Sequence, residues 1–168
     1  MRVAVTGTPG TGKTTATGRV ETDLDVVHLN DVIKSEEFST EMDEERGSLV
    51  ADMDAVAEWL DGREDVLFES HLAHNFDADR VVVLRAHPDT VVERLRERGD
   101  SDPKADENAE SEALDVILSE AVHHHGAENV YEIDTTERDP DEVAAEIEAV
   151  LADDREPSAG TVSYVDWL

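Results

Sequence analysis

The chain has 168 residues, 43 acidic against 14 basic side chains, a net charge of −29, and no cysteine. That length holds one ordinary domain rather than two, the missing cysteine excludes a disulfide framework and a thiolate metal site, and no run of about 18 apolar residues offers a transmembrane helix. A hydrophobic content of 39% in periodic segments points to a globular protein of a high-salt cytoplasm rather than a disordered acidic chain.

Residues 2–6, RVAVT, read as a short buried strand, without the apolar core and cleavage site of a signal peptide. Residues 7–12 form a glycine-rich turn, and Lys13 to about Val20 a helix with Gly18 as its weak point. VVHL (26–29) is a second apolar run. Helical patterns follow over 31–46 and 49–61; in the latter, Val50, Met53, Ala57 and Leu60 recur at steps of three and four, and Gly62 caps the end. VLFE (66–69) and RVVVL (80–84) suit central parallel strands. Pro88 opens a helix over about 89–98 that ends at Gly99, and a polar loop covers 100–108. A helix then spans about 107–124, with Leu114, Ile117, Leu118, Ala121 and Val122 on one face. NVYEID (129–134) is a fifth strand, followed by an amphipathic helix over 143–151. Strands alternating with helices predict an α/β fold in three layers, a five-stranded parallel sheet with helices on both faces. The end of the chain differs: Pro157 and Gly160 break structure, and Tyr164 and Trp167 either pack back on the domain, the favoured reading, or present a partner-binding peptide.

Chemistry concentrates at the start. Gly7-Thr-Pro-Gly-Thr-Gly12-Lys13-Thr14 matches G-x-x-x-x-G-K-[ST] at every fixed position, between a predicted strand and a predicted helix. Glycines let successive N–H groups face one oxyanion. Lys13 then reaches the β- and γ-phosphates of a nucleoside triphosphate, and Thr14 offers a hydroxyl to Mg²⁺. Such a loop needs a carboxylate on a neighbouring strand to hold magnesium through water, and Glu69, ending VLFE, is the candidate. His71 and His74 follow it, but a strand-to-loop transition does not fix their spacing, so they are not read as a transition-metal site. His123, His124 and His125 lie at a helix end, where adjacent residues do not face one point. A charge of −29 repels polyanions, so a phosphate site has to gather cations; six of the 14 fall between 80 and 104, namely Arg80, Arg85, Arg94, Arg96, Arg98 and Lys104. Two or three of these are expected to be structural. The guanine motif N-K-x-D is absent, which argues against a Ras-like GTPase.

GTPGTGKTT, VVHLNDVIKSEEF, ESH, VVVLRAHPDTVVERLRERG and K-x-x-E-N-x-x-S-E occur in that order within residues 2–151. Together they resemble the adenylate kinase isoenzyme six family, archaeal and eukaryotic proteins also tied to small-ribosomal-subunit maturation. The resemblance implies a P-loop nucleoside monophosphate kinase domain over 1–153, with an AMP-side helical insertion at about 30–52, a short lid at about 98–108 and a tail over 154–168. It implies that Gly10, Gly12, Lys13, Thr14 and Thr15 hold ATP phosphates, that Asn30, Asp31 and Lys34 lie on the AMP side, and that Arg98 and Lys104 belong to the lid, with Arg98 on ATP. Glu69 and His71 correspond to the family's Asp-x-His pair. The chain departs at Glu69 in place of Asp, at Lys34 where an Arg is common, and at Asp100 in place of an aromatic. The activity implied is Mg²⁺-dependent transfer from ATP to AMP giving two ADP. The alternatives are an assembly ATPase acting through a basic ribosomal protein, or another small-molecule kinase. Neither bare nucleic acid nor membrane is an expected partner, and the location expected is cytoplasmic.

Overall fold

The computed structural model describes residues 1–43 and 48–168. Five strands form one sheet: β1 (Arg2–Thr6), β2 (Asp25–His28), β5 (Val66–Glu69), β6 (Arg80–Arg85) and β7 (Val130–Asp134), in the order β2-β5-β1-β6-β7. Every pairing in it is parallel, so each connection crosses over a face of the sheet through a helix or loop. Two further strands, β3 (Ser39–Asp43) and β4 (Ser48–Ala51), make a separate antiparallel pair.

Alternation along the strands builds two apolar layers. Ala4, Val27, Phe68, Val81, Val83 and Val130 face one side, covered by Leu29 and Ile33 of α2 (Leu29–Ser35), Val56 and Leu60 of α3 (Met53–Leu60), and Leu118 and Ala121 of α6 (Val116–His125). Val3, Val5, Leu67, Val82, Leu84, Tyr131 and Ile133 face the other, covered by Ala16 of α1 (Lys13–Thr17) and by Val143, Ile147 and Val150 of α7 (Pro140–Leu151). A smaller cluster of Ala86, Val91, Leu95 and Ala105 joins α4 (Pro88–Arg98) to α5 (Asp102–Ala113). The result is the three-layer α/β/α arrangement expected.

Several elements differ locally from those expected. The helix expected over 31–46 is α2 alone as far as Ser35; Glu37 takes a left-handed φ of 57° and strand β3 follows. Residues 44–46 of that expectation lie outside the described residues. Only 53–60 of the helix expected over 49–61 is helical, because Asp52 caps it by accepting from the Ala55 amide and 48–51 pairs as a strand. Its buried face carries Val56 and Leu60, while Ala57 is exposed. The polar loop expected over 100–108 is mostly α5: Ser101 accepts from the Lys104 amide, Pro103 sits in the first turn, and Ala105, Ala109, Glu112 and Ala113 face inward. Alanine carries little hydropathy, so that face was faint. The helix expected over 107–124 breaks at Asp115 (φ 54°), where Asp115 Oδ1 takes a hydrogen bond from Arg85 at 2.6 Å. Leu114 is left exposed at the break.

The tail runs beside β7, the edge strand. Ser158 N–H donates to Val130 O at 3.0 Å, the Glu132 amide donates to Ser158 Oγ, and Arg155 donates to Glu132 O. Tyr164 Oη donates to Asp134, and Trp167 Nε1 donates to Asp89 at 2.8 Å. The tail thus covers an otherwise open sheet edge, and both aromatic residues fold back on the domain. Among the described residues, no helix is long and apolar enough to cross a membrane.

Candidate active site

The glycine-rich loop follows β1, the central strand, and emerges between β5 and β6. In a parallel sheet, the carboxyl ends of adjacent strands deliver their residues to one edge, here Thr6, Glu69 and Arg85. Gly7 is required by crowding: a Cβ there would stand 2.6 Å from the Leu84 carbonyl oxygen and 2.7 Å from Thr11 Oγ1. Gly12, at φ 85°, adopts the left-handed conformation that turns the loop into α1.

The loop is held from within and from outside. Thr8 O accepts from Thr11 N (3.2 Å), Thr11 Oγ1 (2.8 Å) and Lys13 Nζ (3.2 Å). Arg94 donates to Gly10 O, to Thr135 Oγ1 and to Thr135 O, while Thr135 Oγ1 reaches Thr11 O. Thr8 Oγ1 donates to Glu112, which also accepts from Ala86 N at 2.7 Å and pairs with Arg85. Arg85, 1% exposed, additionally engages Asp115 and Glu132. Burial pushes the Glu112 carboxyl up against the pull of Arg85.

Lys13 is buried against the loop, and loss of hydration lowers its ammonium to about 8 despite the opposing charge of Glu69. Glu69 is 3% exposed; its Oε1 accepts from Thr14 Oγ1 at 3.1 Å and pairs with His28 Nδ1 at 2.7 Å. His71 is half-buried, and burial first, then Lys13, lowers its imidazole to about 4, so it is neutral near pH 7. Ser70 Oγ donates to Asn30 Oδ1. His74 is buried between Thr6 Oγ1 and Glu120, each at 2.7 Å. The carboxylate can only accept, so Nε2 carries the ring proton, and Thr6 donates to Nδ1.

The loop, Glu69, His71 and His74 line one cleft of about 1230 Å³. Gly10, Gly12, Lys13, Thr14, Thr15, Asn30, Lys34, Glu69, His71, Arg98 and Lys104 all border it. Asp31 does not border it; it is exposed in the first turn of α2. Of the six clustered cations, three lie elsewhere: Arg85 is interior, Arg80 pairs with Asp153, and Arg96 pairs with Asp102 on the outer surface. Arg94 clamps the loop, while Arg98 and Lys104 both turn to Asp100, at 2.5 and 3.7 Å. Sequence reasoning assigned no site role to Glu112, Thr135, Arg138 or His28. Glu112 stood inside the K-x-x-E-N-x-x-S-E segment, but a buried carboxylate on a surface-like acidic run leaves no periodic trace.

The donor set suits a hard cation. Thr14 and Glu69 offer oxygens at the loop's mouth, and among the described residues no group of three His, Asp or Glu is gathered to hold a transition metal. Two protein oxygens completed by water and phosphate match magnesium, which keeps much of its hydration.

The family model described as an AAA domain matches residues 3–115. The chain is 64% identical to a Halobacterium salinarum protein named "Putative adenylate kinase" and 63% identical to one of the same name from Natronomonas pharaonis; each alignment covers 100% of both chains. Among solved structures it is similar to shikimate kinase from Acinetobacter baumannii in complex with shikimate, with a TM-score of 0.61 at 16% identity over 92% of this chain and 94% of that one. That likeness establishes the P-loop kinase fold alone.

Proposed function

The chain belongs to the AAA-domain family, and on that premise we propose that this P-loop nucleotide kinase is an adenylate kinase of the isoenzyme six type. It transfers a phosphoryl group from ATP to AMP and releases two ADP. One observation carries the reading: a single cleft of about 1230 Å³ holds the glycine-rich loop together with Asn30, Lys34 and His71. That volume exceeds the roughly 300–1,000 Å³ of a site for one small ligand, and so suits a donor and an acceptor side by side.

The loop amides and Lys13 bind the donor phosphates, with Thr15 beside them. Arg98 and Lys104 supply further positive charge from the lid, residues 98–108. Asn30 and Lys34, within an acceptor region spanning 30–52, hold AMP; Asp31, expected beside them, stands outside the cleft on the exposed turn of α2 and is given no contact with AMP. Thr14 and Glu69 would hold Mg²⁺, Glu69 through water. Magnesium, when bound, offsets charge on the phosphate oxygens. Phosphoryl transfer asks mainly for alignment and charge neutralisation. The acceptor phosphate oxygen is already anionic, so no strong general base is needed. His71, neutral at pH 7, orients a phosphate oxygen or a water rather than supplying charge. Closure of the lid would exclude water and so limit hydrolysis.

The net charge of −29 favours a second reading. A basic ribosomal protein would dock on this surface and stimulate ATP hydrolysis during small-subunit maturation. Both readings place the protein in a saline cytoplasm. The separating experiment follows ADP in molar KCl with Mg-ATP, with and without AMP. Turnover that requires AMP supports the kinase. AMP-independent hydrolysis raised by a basic ribosomal protein supports the ATPase. Lys13→Ala should abolish either; full activity in that variant would refute the assigned site.

A further inference from the structure

Glu69 has a neighbour that the mechanism above does not use. His28 ends β2 and stands in parallel register with Glu69 at the end of β5. Register partners on adjacent strands project to the same face, and His28 Nδ1 lies 2.7 Å from Glu69 Oε1. An ionised carboxylate only accepts, so Nδ1 carries the proton. The same oxygen accepts from Thr14 Oγ1 at 3.1 Å. His28 also occupies the N-cap of α2, yet its side chain makes no capping hydrogen bond there. The ring serves the carboxylate and not the helix.

Resting on the kinase reading, we infer that His28 is a positioning residue for the Glu69 carboxylate. Two donors on Oε1 fix the rotation of a side chain that is 3% exposed. The accepting capacity that remains is then aimed at the water of a divalent cation beside Thr14. When Thr14 gives its oxygen to the cation, its proton still needs an acceptor, and a fixed Oε1 supplies one. Without His28 the carboxylate is free to turn toward the ammonium of Lys13, whose charge already interacts with it. Partners of this kind behind a metal-binding group are typically worth about 10- to 100-fold in metal affinity.

The test uses the whole protein in molar KCl with ADP bound, and reads Mn²⁺ affinity by electron paramagnetic resonance. His28→Phe keeps the ring volume and loses the donor; it should weaken Mn²⁺ binding about tenfold. ADP binding in EDTA should be unchanged. His28→Asn, which returns an N–H near the place of Nδ1, should restore most of the affinity. In a Glu69→Gln background, His28→Phe should have no further effect. Unchanged Mn²⁺ affinity in His28→Phe overturns the inference, as does an equal loss in the Glu69→Gln background or a parallel loss of ADP binding in EDTA. If the unaltered protein takes up no Mn²⁺ with ADP, the kinase reading falls with it, and the two failures are told apart by that control.

Discussion

Glu112 Oε1 stands 3.0 Å from Thr8 Oγ1, so a carboxylate 104 residues along the chain fixes the first turn of the glycine-rich loop. The same carboxylate receives the Ala86 amide and the Arg85 guanidinium. Loop, central sheet and α5 therefore share one buried group. Glu112→Ala should destabilise the fold by about 3 kcal/mol, the usual scale for removing one partner from a buried ion pair. Chemical denaturation in molar KCl would show it, and ADP affinity should fall with it because Thr8 loses its anchor. An unchanged denaturation midpoint would contradict the account.

Lys13 predicts how nucleotide binding depends on pH. Its ammonium is lowered to about 8 by burial, whereas a bound polyphosphate favours the charged form. Below about pH 8 the free protein already carries that charge. Above it, binding has to draw a proton from solution, so ADP affinity in EDTA should fall with rising pH by up to about tenfold per unit. For folding the sign is reversed. A base with a depressed folded value makes the nucleotide-free protein gain stability as pH rises from about 8 toward the ordinary lysine value. Calorimetry near pH 9 in two buffers of different ionisation enthalpy should reveal proton uptake on binding; its absence would count against the assignment.

Asp100 holds the two cations proposed to meet nucleotide phosphates. It pairs with Arg98 at 2.5 Å and with Lys104 at 3.7 Å, and nucleotide phosphates would have to draw both away. Asp100→Asn should tighten ATP binding about two- to fivefold, the range set by partly exposed ion pairs of up to about 1 kcal/mol. The gain should shrink as KCl is raised. Weaker binding in this variant would mean that Asp100 orders Arg98 and Lys104 for the nucleotide rather than restraining them.

The tail should be integral to stability. Glu132 is 1% exposed, and its carboxylate accepts from the Gly160 and Thr161 amides as well as from Arg85. Truncation after Asp154 strips those donors and opens the edge of β7. A loss of about 3–5 kcal/mol is expected from the hydrogen bonds to a buried charge, with a stronger tendency to aggregate through the exposed edge. Thermal unfolding and light scattering would measure both. An unaltered unfolding midpoint would mean that the tail is only laid on the surface.

Salt should be required for full stability. With a net charge of −29, surface repulsion acts over a Debye length of about 10 Å at 0.1 M salt and about 3 Å at 1 M. The unfolding midpoint should rise across that range in KCl. A flat response would show that the acidic surface is already balanced by local pairing.

The glycine-rich loop, the five strands, their parallel sense and the cleft residues Lys13, Thr14, Glu69, His71, Arg98 and Lys104 were all legible in the sequence. The loop, the strands and Glu69 depend on neighbours along the chain: glycine placement, apolar runs for buried strands, and a strand-to-loop position; His71, Arg98 and Lys104 were assigned through the family resemblance. The β3–β4 pair, the break at Asp115 and the roles of Glu112, Arg85 and His28 were decided only by tertiary structure. The physical reason is distance along the chain. A carboxylate becomes an anchor when a guanidinium or imidazole from another strand arrives beside it in a dry interior. A helix stops where an ion pair with a remote arginine is worth more than one more turn. Local periodicity carries no record of either.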